Sequence, residues 1–147
     1  MPGPGTAVGP LYSGSNIRYG VEVRTSSALI GESLRTWKVR LKRGASASGT
    51  VRAVVRNSAD SVVATFTETF NASSLSTSYA DRTFTLTSPR TIQAGDKILV
   101  EYSGPARVDI DATSTDAIDG SNTRRTRYDG TTYTGGNTTD IVGTMTT

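Results

Sequence analysis

The stretch from Ser33 to Gly104 alternates apolar and polar residues in short runs that are separated by turn residues. In the clearest run, Trp37, Val39 and Leu41 fall on one side, while the basic residues between them fall on the other. A half-buried strand requires this period of two, because successive side chains of a strand lie on opposite faces of the sheet. The pattern therefore predicts antiparallel strands with one face on a core and the other in solvent.

Similar runs recur along the chain at a spacing of roughly 10–15 residues, with no convincing amphipathic helix between them. They predict an all-β fold, an antiparallel β-sandwich of jelly-roll type with about eight or nine strands. One strand is expected to end at Pro89, and residues 124–128 are expected to lead into a turn at Asp129 and Gly130. The core of the sandwich is predicted to contain Trp37, Val39, Leu41, Val55, Phe66, Phe84, Leu86, Ile98 and Val100.

Residues 1–15 precede any sustained pattern and contain three prolines and four glycines. Because such a density of Pro and Gly blocks helix formation and weakens pairing within a sheet, this segment is predicted to be an extended arm. Residues 16–147 are predicted to form a single β-sandwich domain. The arm is expected to dock either on its own domain or on a neighbouring copy. Its candidate contact residues are Ala7, Val8, Leu11 and Tyr12.

The composition excludes several kinds of chemistry. The chain of 147 residues contains no cysteine and no histidine. A thiol nucleophile, a disulfide, a zinc–thiolate site, an imidazole base and a Ser-His-Asp triad are therefore impossible. No other nucleophile–base pair is recognisable, so the protein is predicted not to be an enzyme. The length suffices for a two-layer core without support from metals or disulfides.

Charge and hydropathy further limit the classes of partner that are expected for this chain. The formal charge of +3 and the pI near 9.4 are too mild to indicate nucleic acid, and no nucleic-acid partner is expected. No stretch approaches the roughly 18–20 apolar residues of a membrane span, so no membrane span is expected. The first ten residues lack the basic region and apolar core of a secretory signal peptide. We therefore expect either a mature form or an export route that does not use that signal.

Four carboxylates lie close together after the last clear strand. Oxygen-rich loops of this kind hold Ca²⁺, which takes about 6–8 oxygen ligands. The spacing does not match an EF-hand, and the first two carboxylates could equally face solvent on one strand. Calcium is thus a candidate ligand, and no other cofactor is expected. A glycosidase pair is disfavoured because nothing fixes two carboxylates at the required ~5–10 Å. The residues concerned are Asp109, Asp111, Asp116 and Asp119.

Two basic clusters raise the question of an acidic partner. The first is expected to form a stripe on the outer face of one sheet and consists of Lys38, Arg40, Lys42, Arg43, Arg52 and Arg56. An acidic polymer or an acidic patch of another subunit would fit it, but a solvated face that discourages edge aggregation is the favoured interpretation. The second cluster, Arg124, Arg125 and Arg127 beside Tyr128, indicates nucleic acid only weakly without a recognised nucleic-acid-binding fold.

Two further sets of residues suggest glycans. Tyr128 and Tyr133 lie in predicted loops and are candidates for stacking on a sugar ring, although a tyrosine also caps the edge of a core with its hydroxyl in water. Asn71 and Asn137 each begin an Asn-X-Ser/Thr pattern in a predicted loop. They are therefore candidate N-glycosylation sites, which suits an extracellular surface.

The chain resembles a broad group of jelly-roll β-sandwich modules in three stretches: GTVRAVVRNSADSVVATFTETFNASSLSTSYADRTFTL, IQAGDKILVEYSG and RYDGTTYT. Such modules occur in surface proteins of archaea and bacteria and in phage appendage proteins, and they are similar in outline to carbohydrate-binding modules. The resemblance covers roughly residues 16–147 and consists of strand and turn patterns rather than catalytic motifs. It implies the fold and carries over no binding residue.

These features favour two functions. The first is a non-enzymatic structural subunit of an extracellular surface filament or similar assembly, in which an extended arm or strand docks on a neighbouring β-sandwich. A homo-oligomer or homopolymer is then expected. The alternative is a carbohydrate-binding module of a secreted, cell-surface or phage tail protein, with a glycan as partner. Both interpretations place the protein outside the cell or at its surface, or alternatively in a virion.

Overall fold

The alternating runs fold as antiparallel strands of one curled sheet. The structure is a computed structural model, and it describes residues 7–11, 16–113, 123–136, 140–141 and 143–146. The all-β, antiparallel class predicted from the sequence is confirmed, and the sheet curls as a half-barrel. The strands in the described residues are β1 (Ala7–Leu11), β2 (Arg18–Val23), β3 (Ser33–Arg43), β4 (Thr50–Arg56), β5 (Val62–Asn71), β6 (Ala80–Thr91), β7 (Lys97–Glu101), β8 (Val108–Thr113), β9 (Thr123–Tyr128), β10 (Tyr133–Gly136), β11 (Asp140–Ile141) and β12 (Gly143–Thr146).

The sheet divides into two halves that meet at one point. Ten strands follow the order β1-β8-β3-β6-β5-β4-β7-β2-β9-β10, while β11 pairs with β8 and β12 pairs with β3. We call β1, β8, β3, β6, β11 and β12 the β3 half, and we call β5, β4, β7, β2, β9 and β10 the β4 half. Between the halves, the strand ladder consists of a single pair, Phe66 of β5 with Leu86 of β6.

One hydrophobic core joins the two halves. Every predicted core residue is buried, with at most 3% of its surface exposed, so the predicted core is confirmed. The ring of Trp37 on β3 lies 6.3 Å from the ring of Phe66 on β5 and 6.3 Å from that of Phe84 on β6. Burial of each such side chain contributes about 1.5–3 kcal/mol. Packing between side chains of both halves therefore compensates for the sparse hydrogen bonding between them.

The predicted strand end at Pro89 is wrong, because β6 continues through this residue to Thr91. The ladder between β6 and β3 skips from Thr85 to Arg90, so β6 bulges over the residues between them. A proline is tolerated in a bulge because its missing N–H removes no ladder hydrogen bond there. Pro89 does mark an interruption of the ladder, but this interruption is a bulge within β6 and not the end of the strand.

Residues 124–128 form most of strand β9, which the sequence did not predict. This strand pairs with β2, with Tyr128 opposite Arg18. It lacks apolar alternation, and the strand count consequently exceeds the predicted eight or nine. The turn predicted at Asp129 and Gly130 does follow it: Asp129 Oδ1 accepts hydrogen bonds from the N–H groups of Thr131 and Thr132, both at 2.8 Å. Gly130 has a φ of 105°, which favours glycine.

The basic stripe predicted on one sheet face does not exist. Its residues lie on β3 and β4, which are consecutive in the chain but belong to different halves of the sheet. Because β6 and β5 lie between them in the strand order, the two groups cannot share one stripe. Lys38, Arg40, Lys42 and Arg43 lie on β3, and Arg52 and Arg56 lie on β4.

Candidate functional site

Part of the predicted arm forms the edge strand β1. This strand pairs antiparallel with β8 of the same chain, beginning with Ala7 opposite Ala112. Val8 also takes part in the ladder, and the side chain of Leu11 is completely buried in the core. The fourth predicted contact residue, Tyr12, lies outside the described residues. The arm therefore supplies a strand to one edge of its own sheet.

The ladder of β1 lacks one backbone donor. Gly9 and Pro10 lie inside its five residues, and Pro10 has no N–H to donate to the ladder. In the strand order of the described residues, β1 has a neighbour on one side only. The side-chain amide of Asn16 donates a hydrogen bond to the Pro10 carbonyl at 3.3 Å, which holds the end of the strand.

Three guanidinium groups surround one carboxylate on the β4 half. Glu101 of β7 lies opposite Arg18 of β2 and Arg52 of β4 in the two neighbouring ladders. Arg52 donates from Nε and Nη2 to Glu101 Oε1 at 3.1 and 2.8 Å, and Arg56 Nε donates to Oε2 at 2.9 Å. Arg18 Nε lies 3.3 Å from Oε2. Only 10% of the Glu101 side chain is exposed, so a largely buried anion positions three cations.

A second carboxylate, Asp60, links this cluster to a tyrosine. Arg18 Nη1 lies 3.2 Å from Asp60 Oδ2 and donates to the Tyr133 hydroxyl at 2.9 Å, which in turn donates to Asp60 Oδ1 at 2.6 Å. Burial alone would raise the pKa of Asp60, but the Tyr133 hydroxyl and the charges of Arg18 and Arg56 bring it below its ordinary value. Burial and the bond to Asp60 raise the pKa of Tyr133 to about 12.

The two tyrosines predicted to stack on sugars lie together at this cluster. The ring centroids of Tyr128 and Tyr133 are 4.6 Å apart. The guanidinium carbon of Arg18 lies 4.2 Å from the centroid of Tyr128, and Lys97 Nζ lies 4.7 Å from that of Tyr133. Each ring is half-buried and already carries a cation, in the geometry of a cation–π contact. Sugar stacking by these rings stays a prediction.

A cavity of about 320 Å³ opens beside the cluster. Sequence reasoning missed Arg18 and Glu101, two residues that define it. The available signal was the run KILVE of β7, in which a charged residue follows an uninterrupted apolar stretch; all five residues are buried. The cavity is lined by Arg18, Arg52, Arg56, Glu101, Thr50 and Ser103, together with Ile17 and Tyr102.

The predicted calcium ligands are only partly described. Arg107 Nη2 lies 2.9 Å from Asp109, and Arg40 Nη1 lies 3.4 Å from Asp111, so both carboxylates have a basic partner. Within the described residues, no group of three or more His, Cys, Asp or Glu side chains is placed to hold a metal ion. A calcium site at these residues stays a prediction, since Asp116 and Asp119 lie outside the described ranges.

The predicted glycosylation sites also differ in what the structure describes. Asn71 is exposed at the end of β5 and caps a short 3-10 turn, Ala72–Ser74. Its Oδ1 accepts hydrogen bonds from the N–H of Ser73 at 3.1 Å and from the Ser73 hydroxyl at 2.9 Å. Asn137 lies outside the described residues. Glycosylation at either asparagine stays a prediction.

No protein-family model, curated protein or solved structure matches this chain. The functional proposals below therefore rest on the geometry of the edge strand and of the arginine cavity. Across the ranges that the structure describes, no helix combines the length and apolar character needed to cross a membrane.

Proposed function

We propose that this chain is a non-enzymatic structural subunit of an extracellular surface filament or similar assembly, in which β1 of one copy docks on the sheet of the next. The observation that carries this proposal is the edge position of β1, which among the described strands pairs with β8 alone and inserts Leu11 into the core. If β1 leaves its own sheet, the exposed edge of β8 accepts the same strand from a neighbour. Such a head-to-tail contact extends into a fibre unless its rotation closes a ring.

We also infer that the fold is a jelly roll, as the sequence pattern suggested. The strand pairing supports this: β1 pairs with β8, β2 with β7, β3 with β6 and β4 with β5. These are the pairs that one long hairpin of eight strands forms. Successive pairs lie alternately in the β3 half, with the strand order β1-β8-β3-β6, and in the β4 half, with the strand order β2-β7-β4-β5. Rolling such a hairpin produces two Greek keys in two layers. In this arrangement β1 is an outer strand, which is the position that exchange requires.

Exchange of β1 between copies is close to neutral in contact energy. A docked β1 from a neighbour remakes the same ladder and buries the same Leu11 side chain, so few contacts are lost. The glycine and proline inside β1 weaken its hold on its own sheet. Exchange is therefore limited mainly by the entropy of association, which a high local concentration at a surface reduces.

The test is strand complementation. A variant that lacks residues 1–15 should stop assembling and should bind a synthetic peptide of residues 1–15, measured by fluorescence anisotropy. The matched control peptide carries Leu11→Asp, which places a charge in the apolar position, and it should bind at least about 10-fold more weakly. Assembly that persists without residues 1–15, or equal binding of the two peptides, would contradict the proposal. If the shortened chain does not fold, full-length Leu11→Asp provides the same comparison by light scattering.

A carbohydrate-binding module is the second candidate function. The observation that favours it is the Tyr128–Tyr133 pair beside the 320 Å³ cavity. Aromatic rings next to convergent polar groups are typical of sites for small polar ligands. A glycan array of the purified protein tests this candidate, and an array without any bound glycan would exclude it. Both candidates imply a location at the cell surface, outside the cell or in a virion.

A further inference from the structure

We propose that the cavity formed by Arg18, Arg52 and Arg56 binds the carboxylate of an acidic sugar residue. This inference rests on the second candidate function, glycan binding, and it is independent of strand exchange. It assigns a ligand class to the site, and it gives the arginines a recognition role in addition to their contacts with Glu101.

Within the described residues, each of these guanidinium groups has at least one nitrogen that donates no hydrogen bond to the protein. Arg18 contacts its partners through Nε and Nη1, Arg52 through Nε and Nη2, and Arg56 through Nε and Nη1. In the described part of the chain, the nitrogens without such a hydrogen bond include Arg18 Nη2, Arg52 Nη1 and Arg56 Nη2. These nitrogens belong to side chains that line one cavity, so a single ligand can reach all three arginines.

The charge of the cluster favours an anion. Within the described residues, the three arginines form ion pairs with two carboxylates, those of Glu101 and Asp60. The side chains of Arg18 and Arg56 are 16% and 13% exposed, so they are held in place and partly shielded from water. Hydrogen bonds from such groups to a carboxylate are stronger than bonds between neutral groups. Arg52, whose side chain is 48% exposed, is the arginine that a ligand meets first.

The remaining lining favours a sugar over a small inorganic anion. Thr50 and Ser103 contribute hydroxyl groups, and Ile17 contributes an apolar surface. A uronic acid presents hydroxyls, C–H groups and a planar carboxylate on one ring, and so it matches all three kinds of lining. The volume of about 320 Å³ is at the lower end of the roughly 300–1,000 Å³ of small-molecule sites, which suits one sugar residue. Sulfate or phosphate would accept hydrogen bonds from the arginines and the hydroxyls but would leave the apolar surface of Ile17 uncovered.

The arginines of the cavity lie on neighbouring strands of the sheet and are held by ion pairs. Leu99 and Val54 lie between the charged residues along β7 and β4, and both are completely buried, although neither belongs to the main core. The aliphatic stems of arginine and lysine side chains cover apolar surface of this kind while their charged ends stay at the surface. The guanidinium groups are consequently held in position before any ligand binds, which lowers the entropy cost of binding.

The experiment is isothermal titration of the full chain with trigalacturonate, with a hyaluronan tetrasaccharide, with maltotriose as a neutral oligosaccharide, and with inorganic sulfate. We expect at least one carboxylated oligosaccharide to bind, with maltotriose and sulfate at least about 10-fold weaker. Arg52→Ala should lower the affinity about 10- to 100-fold, as expected for lost charge-assisted hydrogen bonds. Arg52→Lys should recover little of the affinity that Arg52→Ala loses, because an ammonium group cannot bind a carboxylate in the bidentate manner.

The matched control is Arg35→Ala, which removes the same charge from an exposed position on β3 and should leave the affinity unchanged. Thermal melts confirm folding, and Arg52→Ala should fold because Glu101 retains Arg18 and Arg56. If maltotriose binds as tightly as the carboxylated oligosaccharides, the proposed acidic specificity is wrong, but the proposed glycan binding stands. If no sugar binds, the acidic specificity and the glycan binding are both wrong. If sulfate binds as tightly as the carboxylated oligosaccharides, the site is a simple anion site. If Arg35→Ala loses as much affinity as Arg52→Ala, general charge attraction explains the binding. Either result overturns the proposal.

Discussion

At the scale of single residues, Glu101 has the greatest effect on the arginine site. It accepts hydrogen bonds from Arg52 and Arg56, lies within 3.3 Å of Arg18, and is itself mostly buried. Removing its charge leaves guanidinium groups close together without their shared partner. Loss of one member from a buried ion pair costs far more than loss of an exposed pair.

We therefore expect Glu101→Gln to lower the free energy of unfolding by about 3 kcal/mol, measured by urea denaturation. The control is Glu32→Gln at an exposed position, where a change within about 0.5 kcal/mol is expected. A similar small effect for both substitutions would show that the arginines do not depend on Glu101.

Two half-buried phenols should make the protein sensitive to alkaline pH. Burial raises the pKa of both Tyr79 and Tyr133 to about 12; nearby Asp109 and Asp111 add to the shift at Tyr79, and the bond to Asp60 adds to that at Tyr133. Because both pKa values lie above the ordinary value of about 10, the folded chain holds these protons more tightly than the unfolded chain. The free energy of unfolding should therefore fall as the pH rises from about 10 towards 12.

Chemical denaturation across this pH range measures the effect. The double variant Tyr79→Phe/Tyr133→Phe should lose much of the alkaline decline, because neither ring can then ionise. A decline of unchanged steepness in the double variant would mean that other groups cause it. Because the chain contains six tyrosines, the contribution of these two is obtained as the difference between the phenolate absorbance titrations of the parent protein and the double variant.

The residue scale also shows what sequence can reveal. Alternation placed Trp37, Val39 and Phe84 in the core, because a strand's period of two decides which side chains face inward. The same reasoning did not find the contact between Arg18 and Glu101, since it depends on which strands become neighbours. No local sequence pattern indicates that β2 and β4 lie on either side of β7 in the sheet. The prediction of one basic stripe failed for the same reason.

At the scale of elements, the junction of β5 and β6 depends on side chains as well as backbone. Beside the single backbone pair, the Glu68 carboxylate accepts a hydrogen bond from the N–H of Thr85, and the Thr67 hydroxyl donates to the Thr85 carbonyl. Burial alone would raise the pKa of Glu68, but the hydrogen bonds from Thr85 and Thr67 bring it below the ordinary 4.5. The carboxylate thus stabilises the junction when it is ionised.

Glu68→Ala should lower the free energy of unfolding by about 1 kcal/mol and accelerate hydrogen exchange at the Thr85 amide. In the parent protein this stabilisation is complete above the ordinary carboxyl pKa and is lost as the pH falls through the lower folded pKa. Hydrogen exchange followed by NMR measures both effects. Unchanged exchange at Thr85 in Glu68→Ala, with Glu32→Ala as the control, would contradict the bridging role.

The approach of β2 to β7 explains a glycine inside a strand. A Cβ on Gly20 would overlap the Ile98 carbonyl oxygen, and so the backbones could not keep their separation. Gly20→Ala should lower the free energy of unfolding by about 3 kcal/mol. Gly44→Ala is the matched control, since its Cβ would meet only ordinary contacts from 3.5 Å outwards. Equal stability of the two variants in thermal melts would refute the close approach.

Elements with regular alternation could be predicted, and those without it could not. The runs that form β3, β4 and β7 contain enough apolar residues to be predicted as strands from the sequence. β9 reads TRRTRY and is a strand only because β2 and β10 pair with it. Likewise β1 contains Gly9 and Pro10, which argue locally against a strand, and it forms because β8 presents an edge. Tertiary pairing overrides local preference in both cases.

At the scale of the whole molecule, the proposed strand exchange depends on where β1 lies in the sheet. The pairing leaves β1 as an outer strand, and five residues with one buried leucine hold it there. The sequence predicted an arm with apolar residues but left its docking partner open, because the same ladder forms within one chain and between two. Only the sheet order shows that β8 is the strand with which β1 pairs.

Negative-stain microscopy of the purified chain, with and without excess free peptide of residues 1–15, tests strand exchange most directly. The account predicts linear strings of particles that shorten as the peptide occupies the acceptor edge of each terminal subunit. Separate single particles at every protein concentration, or strings whose length the peptide does not change, would contradict it.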